Sequence, residues 1–242
     1  MISPKEFACQ AVGFLPDAIH SIVLYGSSLA GDFDQAVSDY NVLVIARQLN
    51  IGDLNALAPL AQQWAKQGNR PPLLFTLDEA RHIADSFPLE LLDIQEAHQI
   101  LAGGPLPIEW QVSLDNLRLQ LEREFKEKLL LLRERYMLSV GNANQVIALM
   151  TDSLGNFLVL ARGALRLFSV EAGSAVPRCK LDALDALAKH VSFNAGVFRT
   201  IAEVRSGRTR PRDVPAEETF ASYLSSIEAI EKAVNDRRVA AV

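Results

Sequence analysis

Two short segments concentrate the residues whose types and spacing can do chemistry. The first is Gly26-Ser27-Ser28-Leu29-Ala30-Gly31 and the second is Ser38-Asp39-Tyr40-Asn41. A Gly-Ser turn entering a helix lets backbone N–H groups approach a triphosphate closely, because glycine has no side chain and a helix start favours anions. Gly26, Ser27 and Ser28 are therefore the nucleotide-binding candidates. Asp39 and Asn41 stand at i and i+2, so on a strand both side chains leave the same face. They are the metal-ligating candidates, with Asp39 the catalytic carboxylate. An asparagine amide oxygen can ligate magnesium, but it brings no negative charge and is the weaker partner for a hard dication. Asp32 and Asp34, in the loop between the two segments, are the available substitute carboxylates.

These segments need strands and helices to hold them. Ser21 to Tyr25 is a β-rich run ended by Gly26, and Tyr40 to Ile45 is a second; both are short, rich in β-branched residues and bounded by turn formers, as buried strands are. Pro4 to Phe14 reads as an amphipathic helix. Asp53 to Gln67 is a second helix with Leu54, Leu57, Leu60, Ala61 and Trp64 on one face, Asp53 as its N-cap and Gly68-Asn69 as its stop. Pro72 to Thr76 reads as a third strand and Leu89 to Ile94 as a fourth. The Gly/Pro cluster from Ala102 to Pro107 marks a domain boundary, giving domains 1–104 and 105–242.

Beyond that boundary strand signal stops. Leu114, Leu117, Leu121, Phe125, Leu129, Leu132 and Tyr136 recur at helical steps. Further helices are expected over Asn144 to Ser169, Leu181 to His190, Asn194 to Arg205 and a last segment carrying Phe220, Tyr223, Leu224, Ile227, Ile230 and Val234. Short connections between such stripes favour an antiparallel bundle.

Composition narrows the function. A net charge of −5 and a pI near 5.4 lack the positive footprint of a general nucleic-acid binder, so nucleic acid is not an expected partner. Cys9 and Cys179 have no metal-ligand spacing and suit a reducing cytoplasm. The N-terminus reads as lacking a signal peptide, and runs such as Leu129 to Leu132 are too short to span a bilayer, so the expected location is cytoplasmic with no membrane partner. In the helical half, the basic run from Arg205 to Arg212 reads first as a solvated loop and second as a site for a triphosphate tail or an RNA backbone. Lys126, Lys128 and Arg133 read as a solvated face. Glu122 and Glu127 are remote candidates for a general base. His82 has no hydrolase-like partner, and His98 reads as the end of a strand.

The two segments together resemble the signature of the nucleotidyltransferase superfamily, the DNA-polymerase-beta-like group. The signature is Gly-Ser after a first strand, a glycine four residues past the Ser, then two acids one residue apart at the start of the next strand. The helical half resembles, in layout, that of the aminoglycoside adenylyltransferase-like branch. The resemblance implies an α+β fold, a mixed sheet with helices followed by an all-α bundle. It also implies Mg2+, a nucleoside triphosphate and transfer of a nucleoside monophosphate to a hydroxyl or a protein side chain. The sequence departs from the pattern at Asn41, which replaces the second acid, and in the strand Leu73 to Thr76, which offers no third one. Three readings follow. The chain binds a nucleotide with weak or lost transfer, or it is an active magnesium-dependent transferase acting on a small-molecule or protein hydroxyl. Alternatively it is a non-enzymatic interaction module working through its helical domain, with a homodimer among the partners considered.

Overall fold

The two β-branched runs become neighbouring antiparallel strands, β1 (Ile19–Tyr25) and β2 (Asn41–Ala46), in the computed structural model of the chain. It describes residues 2–29, 40–106, 110–169 and 176–237. Strand β3 (Leu73–Thr76) pairs parallel to β2, and β4 (His98–Gly103) pairs antiparallel to β1, so the sheet order is β3-β2-β1-β4. Nearly every residue of β1 and β2 is buried, because helices cover both faces of the two central strands.

One face packs on α1 (Pro4–Phe14) and α2 (Ile51–Ala65). There Phe7, Ala11, Leu57, Leu60 and Trp64 meet Ile22, Leu24, Val42 and Val44. The alternate residues Val23, Tyr25, Leu43 and Ile45 point to the other face. They meet Ala80 of α3 (Leu77–His82), Leu91 and Ile94 of α4 (Pro88–Glu96), and Trp110. This is period-two strand geometry read from both sides.

Four local expectations are corrected. Leu89 to Ile94 is helix, not strand: Pro88 opens α4, Glu90 sits in its first turn, and the segment is made of Leu, Glu, Asp and one Ile rather than β-branched runs. The fourth strand is His98–Gly103 instead, so His98 begins a strand rather than ending one. The cap of α2 is Asn50, whose side chain accepts from the Gly52 and Asp53 N–H groups; Asp53 is the reciprocal member of that capping box. Leu54 consequently turns to solvent rather than joining Leu57, Leu60 and Trp64.

The second packed unit, Leu114–Val242, is built among its described residues from α5 (Leu114–Ser139), α6 (Ala143–Ser169), α7 (Lys180–Leu187), α8 (Ala195–Arg205) and α9 (Ala216–Asp236). Helix α6 is the hub and packs against each of the other four. By length and composition alone α6 could cross a membrane, but over half of that stretch is buried inside the unit, as for the core helix of a bundle. Its Phe157 meets Phe125 of α5 at 6.4 Å and Tyr223 of α9 at 5.9 Å. The first unit runs to Ser113, past the Gly/Pro cluster, because the Trp110 ring is buried and its Nε1–H donates to the Ala80 carbonyl at 2.6 Å.

Candidate functional site

The end of β1 and the start of β2 lie side by side at one end of the sheet, the edge that runs across its strand ends. Tyr25 is the register partner of Asn41 on one side and of His98 on the other, so Asn41, Tyr25 and His98 stand in one row. Side chains in one row of a sheet leave the same face. Directly after Tyr25 the chain reverses at Gly26, whose φ of +84° lies in the left-handed region that glycine adopts without penalty. A 3-10 turn over Ser27–Leu29 follows, closed by the Leu29 N–H donating to the Gly26 carbonyl at 3.1 Å.

Asn41 occupies the space that glycine leaves open. A Cβ on residue 26 would stand 3.0 Å from the Asn41 Nδ2. The strand-start amide and the turn are therefore closely packed, and a side chain at residue 26 would have to push the Asn41 amide aside. The Ser28 hydroxyl is buried and has no hydrogen-bond partner among the described residues. Buried polar atoms are usually satisfied, so an orphaned hydroxyl in this turn is a group available to a ligand.

The start of β2 is fixed from the side of α2. The Tyr40 N–H donates to the Asn69 Oδ1 at 3.0 Å, and the Asn69 Nδ2 donates to the Trp64 carbonyl at 3.5 Å. Trp64 is fully buried, its Nε1–H donates to the Arg70 carbonyl at 3.0 Å, and its ring lies 6.1 Å from Tyr40. Sequence reading gave Asn69 only a helix-stopping role. Gly68, with φ +86°, swings the chain so that the Asn69 amide reaches β2, which a local pattern does not reveal.

Asp39, Ser38, Gly31, Asp32 and Asp34 lie outside the described residues. Gly26, Ser28 and Asn41 are brought together at the edge, with the Ser27 backbone in the same turn. Strand β3 adds no acid: its residues are Leu73, Leu74, Phe75 and Thr76, and the parallel register carried back from Leu43–Leu73 sets Pro71 level with Asn41. Among the described residues no group of three or more His, Cys, Asp or Glu is placed to hold a metal. His98 donates from Nδ1 to the Ile94 carbonyl at 2.8 Å, which caps the end of α4.

The helical candidates are accounted for within their own unit. Glu122 accepts from Arg118 at 2.9 Å and from Lys126, and the Lys126 ammonium first, then Arg118, holds its carboxyl below the usual carboxylate range. Arg123 lowers Glu127 in the same way. A carboxylate stabilised in its charged form is a poorer general base at neutral pH. Lys128 pairs with Glu124, and Arg133 with Glu228 of α9 at 2.7 Å. In the basic run, Arg210 pairs with Asp213 at 2.9 Å, and Arg205 lies against Gly155 of α6.

No family model matches the chain, and no curated protein matches its sequence. Among solved structures it is similar to spectinomycin adenyltransferase AAD(9) from Enterococcus faecialis, determined with ATP and spectinomycin. The TM-score is 0.56 at 11% identity, over 93% of this chain and 98% of that one. The fold is nucleotidyltransferase-like. The likeness extends over residues of both units.

Proposed function

We propose that the chain binds a nucleoside triphosphate at the Gly26–Asn41 edge and that its nucleotidyl transfer is weak or lost. The observation that carries this reading is Asn41, an uncharged amide packed on the Gly26 turn where the superfamily pattern sets its second metal-binding acid. The turn supports this reading with a left-handed glycine that has no side chain and a Ser28 hydroxyl without a hydrogen-bond partner among the described residues. Asp39 would supply the remaining carboxylate, and with the Asn41 amide oxygen as a weak second ligand it would hold one Mg2+. Two missing acids leave that donor set short for two-metal chemistry, which needs a clamp on both the attacking and leaving oxygens. Each lost stabilising group costs about 10²–10³ in rate. The protein works in the cytoplasm on this reading.

Calorimetric titration of ATP, GTP, CTP and UTP, with and without magnesium, tests the proposal. Magnesium-dependent binding that Asp39→Ala removes is expected. Asn41→Asp should raise magnesium affinity and create or increase transfer. A wild-type protein that already transfers nucleotide at ordinary enzyme rates, and loses this with Asp39→Ala, would favour the active transferase reading. Absence of any binding up to millimolar nucleotide would end both readings.

A further inference from the structure

Helix α5 carries large apolar side chains on two sides, and its own unit covers one of them. Leu117, Leu121, Phe125, Leu129 and Leu132 are buried against α6 and α9. At 100° per residue, Leu119, Leu130, Met137 and Leu138 project from the opposite side. They are 54%, 58%, 70% and 85% exposed, and Leu131 and Val140 flank them. Scattered exposed leucines are ordinary, but four large apolar side chains on one side of one helix, interleaved with Arg123, Glu127 and Glu134, form an amphipathic surface suited to a partner.

The charges within this stripe identify its occupant. From the N-terminal end its central line reads Leu119, Arg123, Glu127, Leu130, Glu134, Leu138, with Met137 beside it at the azimuth of Leu119 and level, about the same midpoint, with Gln120. The positions are symmetric about the midpoint between Lys128 and Leu129. An antiparallel copy laid on the stripe about that point sets Leu119 against Leu138, Arg123 against Glu134, and Glu127 against Leu130, each pair occurring twice. Arg123 already pairs with Glu127 at 2.9 Å, which orients its guanidinium along the stripe. Glu134 has no ion-pair partner among the described residues and becomes the partner of Arg123 in the second copy. Self-complementarity of this kind is what a two-fold interface demands of one surface.

We propose that the chain forms a two-fold homodimer through antiparallel pairing of α5. The helix has 26 residues, a length of about 39 Å. A single-helix contact lies at the small end of specific interfaces. The dimer is therefore reversible, with a dissociation constant on the order of 10 μM. This surface uses none of the residues of the nucleotide edge, so the proposal stands or falls independently of the proposed function.

Sedimentation equilibrium of the full chain over a concentration series, to about 200 μM, is the test. A monomer–dimer equilibrium is expected. Leu138→Asp should abolish it, and Arg123→Glu or Glu134→Arg alone should weaken it about tenfold or more. The Arg123→Glu/Glu134→Arg exchange should restore it, because the pair re-forms with reversed sign. All three side chains are exposed, and circular dichroism checks each variant's fold. If Leu138→Asp unfolds, the charge exchange alone decides. A wild-type chain that stays monomeric throughout, or a dimer indifferent to these changes, overturns the proposal.

Discussion

At the edge of the sheet, polar groups are held in place with little charge among them: Asn41 against Gly26, the Ser28 hydroxyl unpartnered among the described residues, Tyr40 anchored by Asn69. On α5 the reverse holds. Arg118, Arg123, Lys126, Lys128 and Arg133 each have a carboxylate within ion-pair distance, while leucines and a methionine face solvent. The difference teaches what each region has left to satisfy. Among its described residues the first is short of charge, and on the function proposed above it takes a ligand that brings its own, a magnesium–nucleotide. The second has paired most of its charges, Glu134 being an exception among the described residues, and on the proposed dimer its exposed leucines meet the same helix of another copy.

The sharpest way to break this contrast is to empty one core at a time. Trp64→Ala removes a fully buried ring that packs on Phe7 at 4.9 Å and steadies Tyr40 through Asn69. Phe157→Ala removes the ring between Phe125 and Tyr223. Each should cost about 3–5 kcal/mol by chemical denaturation. Nucleotide affinity, measured where both variants are folded, should fall only for Trp64→Ala. Equal loss of binding in Phe157→Ala would mean that the nucleotide site depends on the bundle and that the contrast drawn above is wrong.

Two glycines isolate the contact at the edge from ordinary backbone strain. Gly26 and Gly141 have nearly the same φ, +84° and +83°. A Cβ at 141 meets nothing within 4 Å, whereas one at 26 meets the Asn41 amide at 3.0 Å. Gly141→Ala should therefore show the left-handed penalty alone, about 1–2 kcal/mol. Gly26→Ala should cost more and also displace Asn41, with weaker nucleotide binding. Equal costs in urea denaturation, with binding intact, would mean that Asn41 moves aside freely and that the contact has no positioning role.

The sequence makes the sheet centre and the helical unit legible for physical reasons. The runs up to Tyr25 and up to Ile45 are β-branched and bounded by turn formers, and the stripe from Leu117 to Leu132 keeps helical spacing without interruption. Leu89 to Ile94 misleads because six residues of Leu, Glu and Asp around a buried Leu91 and Ile94 satisfy both periods; the decision comes from Pro88 before them and from the face of the sheet they must cover. The Gly26 turn is legible because its chemistry lies in consecutive residues. The anchor from Asn69 to Tyr40 is not, because it joins positions that only the β2–β3 crossover brings together. The same limit hides the alignment of His98 with Tyr25 and Asn41 across three strands.

The smallest effect tests whether the charges of α5 are as settled as the contrast requires. Lys126, then Arg118, holds the Glu122 carboxyl below its usual range in the folded chain. A carboxylate depressed by folding contributes stability that is present above its unfolded pKa, near 4.3, and is lost as pH falls through the lower folded value. The side chain is partly exposed, so screening keeps that contribution below about 1 kcal/mol. Glu122→Gln should thus lower stability slightly at neutral pH, and the gap between variant and wild type should close as pH falls below about 4. High salt should shrink it at neutral pH. A gap that stays constant from neutral to acidic pH would assign Glu122 a packing role, since a neutral carboxyl and an amide would then still differ. The network around it would no longer count as charge already satisfied, and the apolar stripe would lose its standing as the main unmet demand of α5.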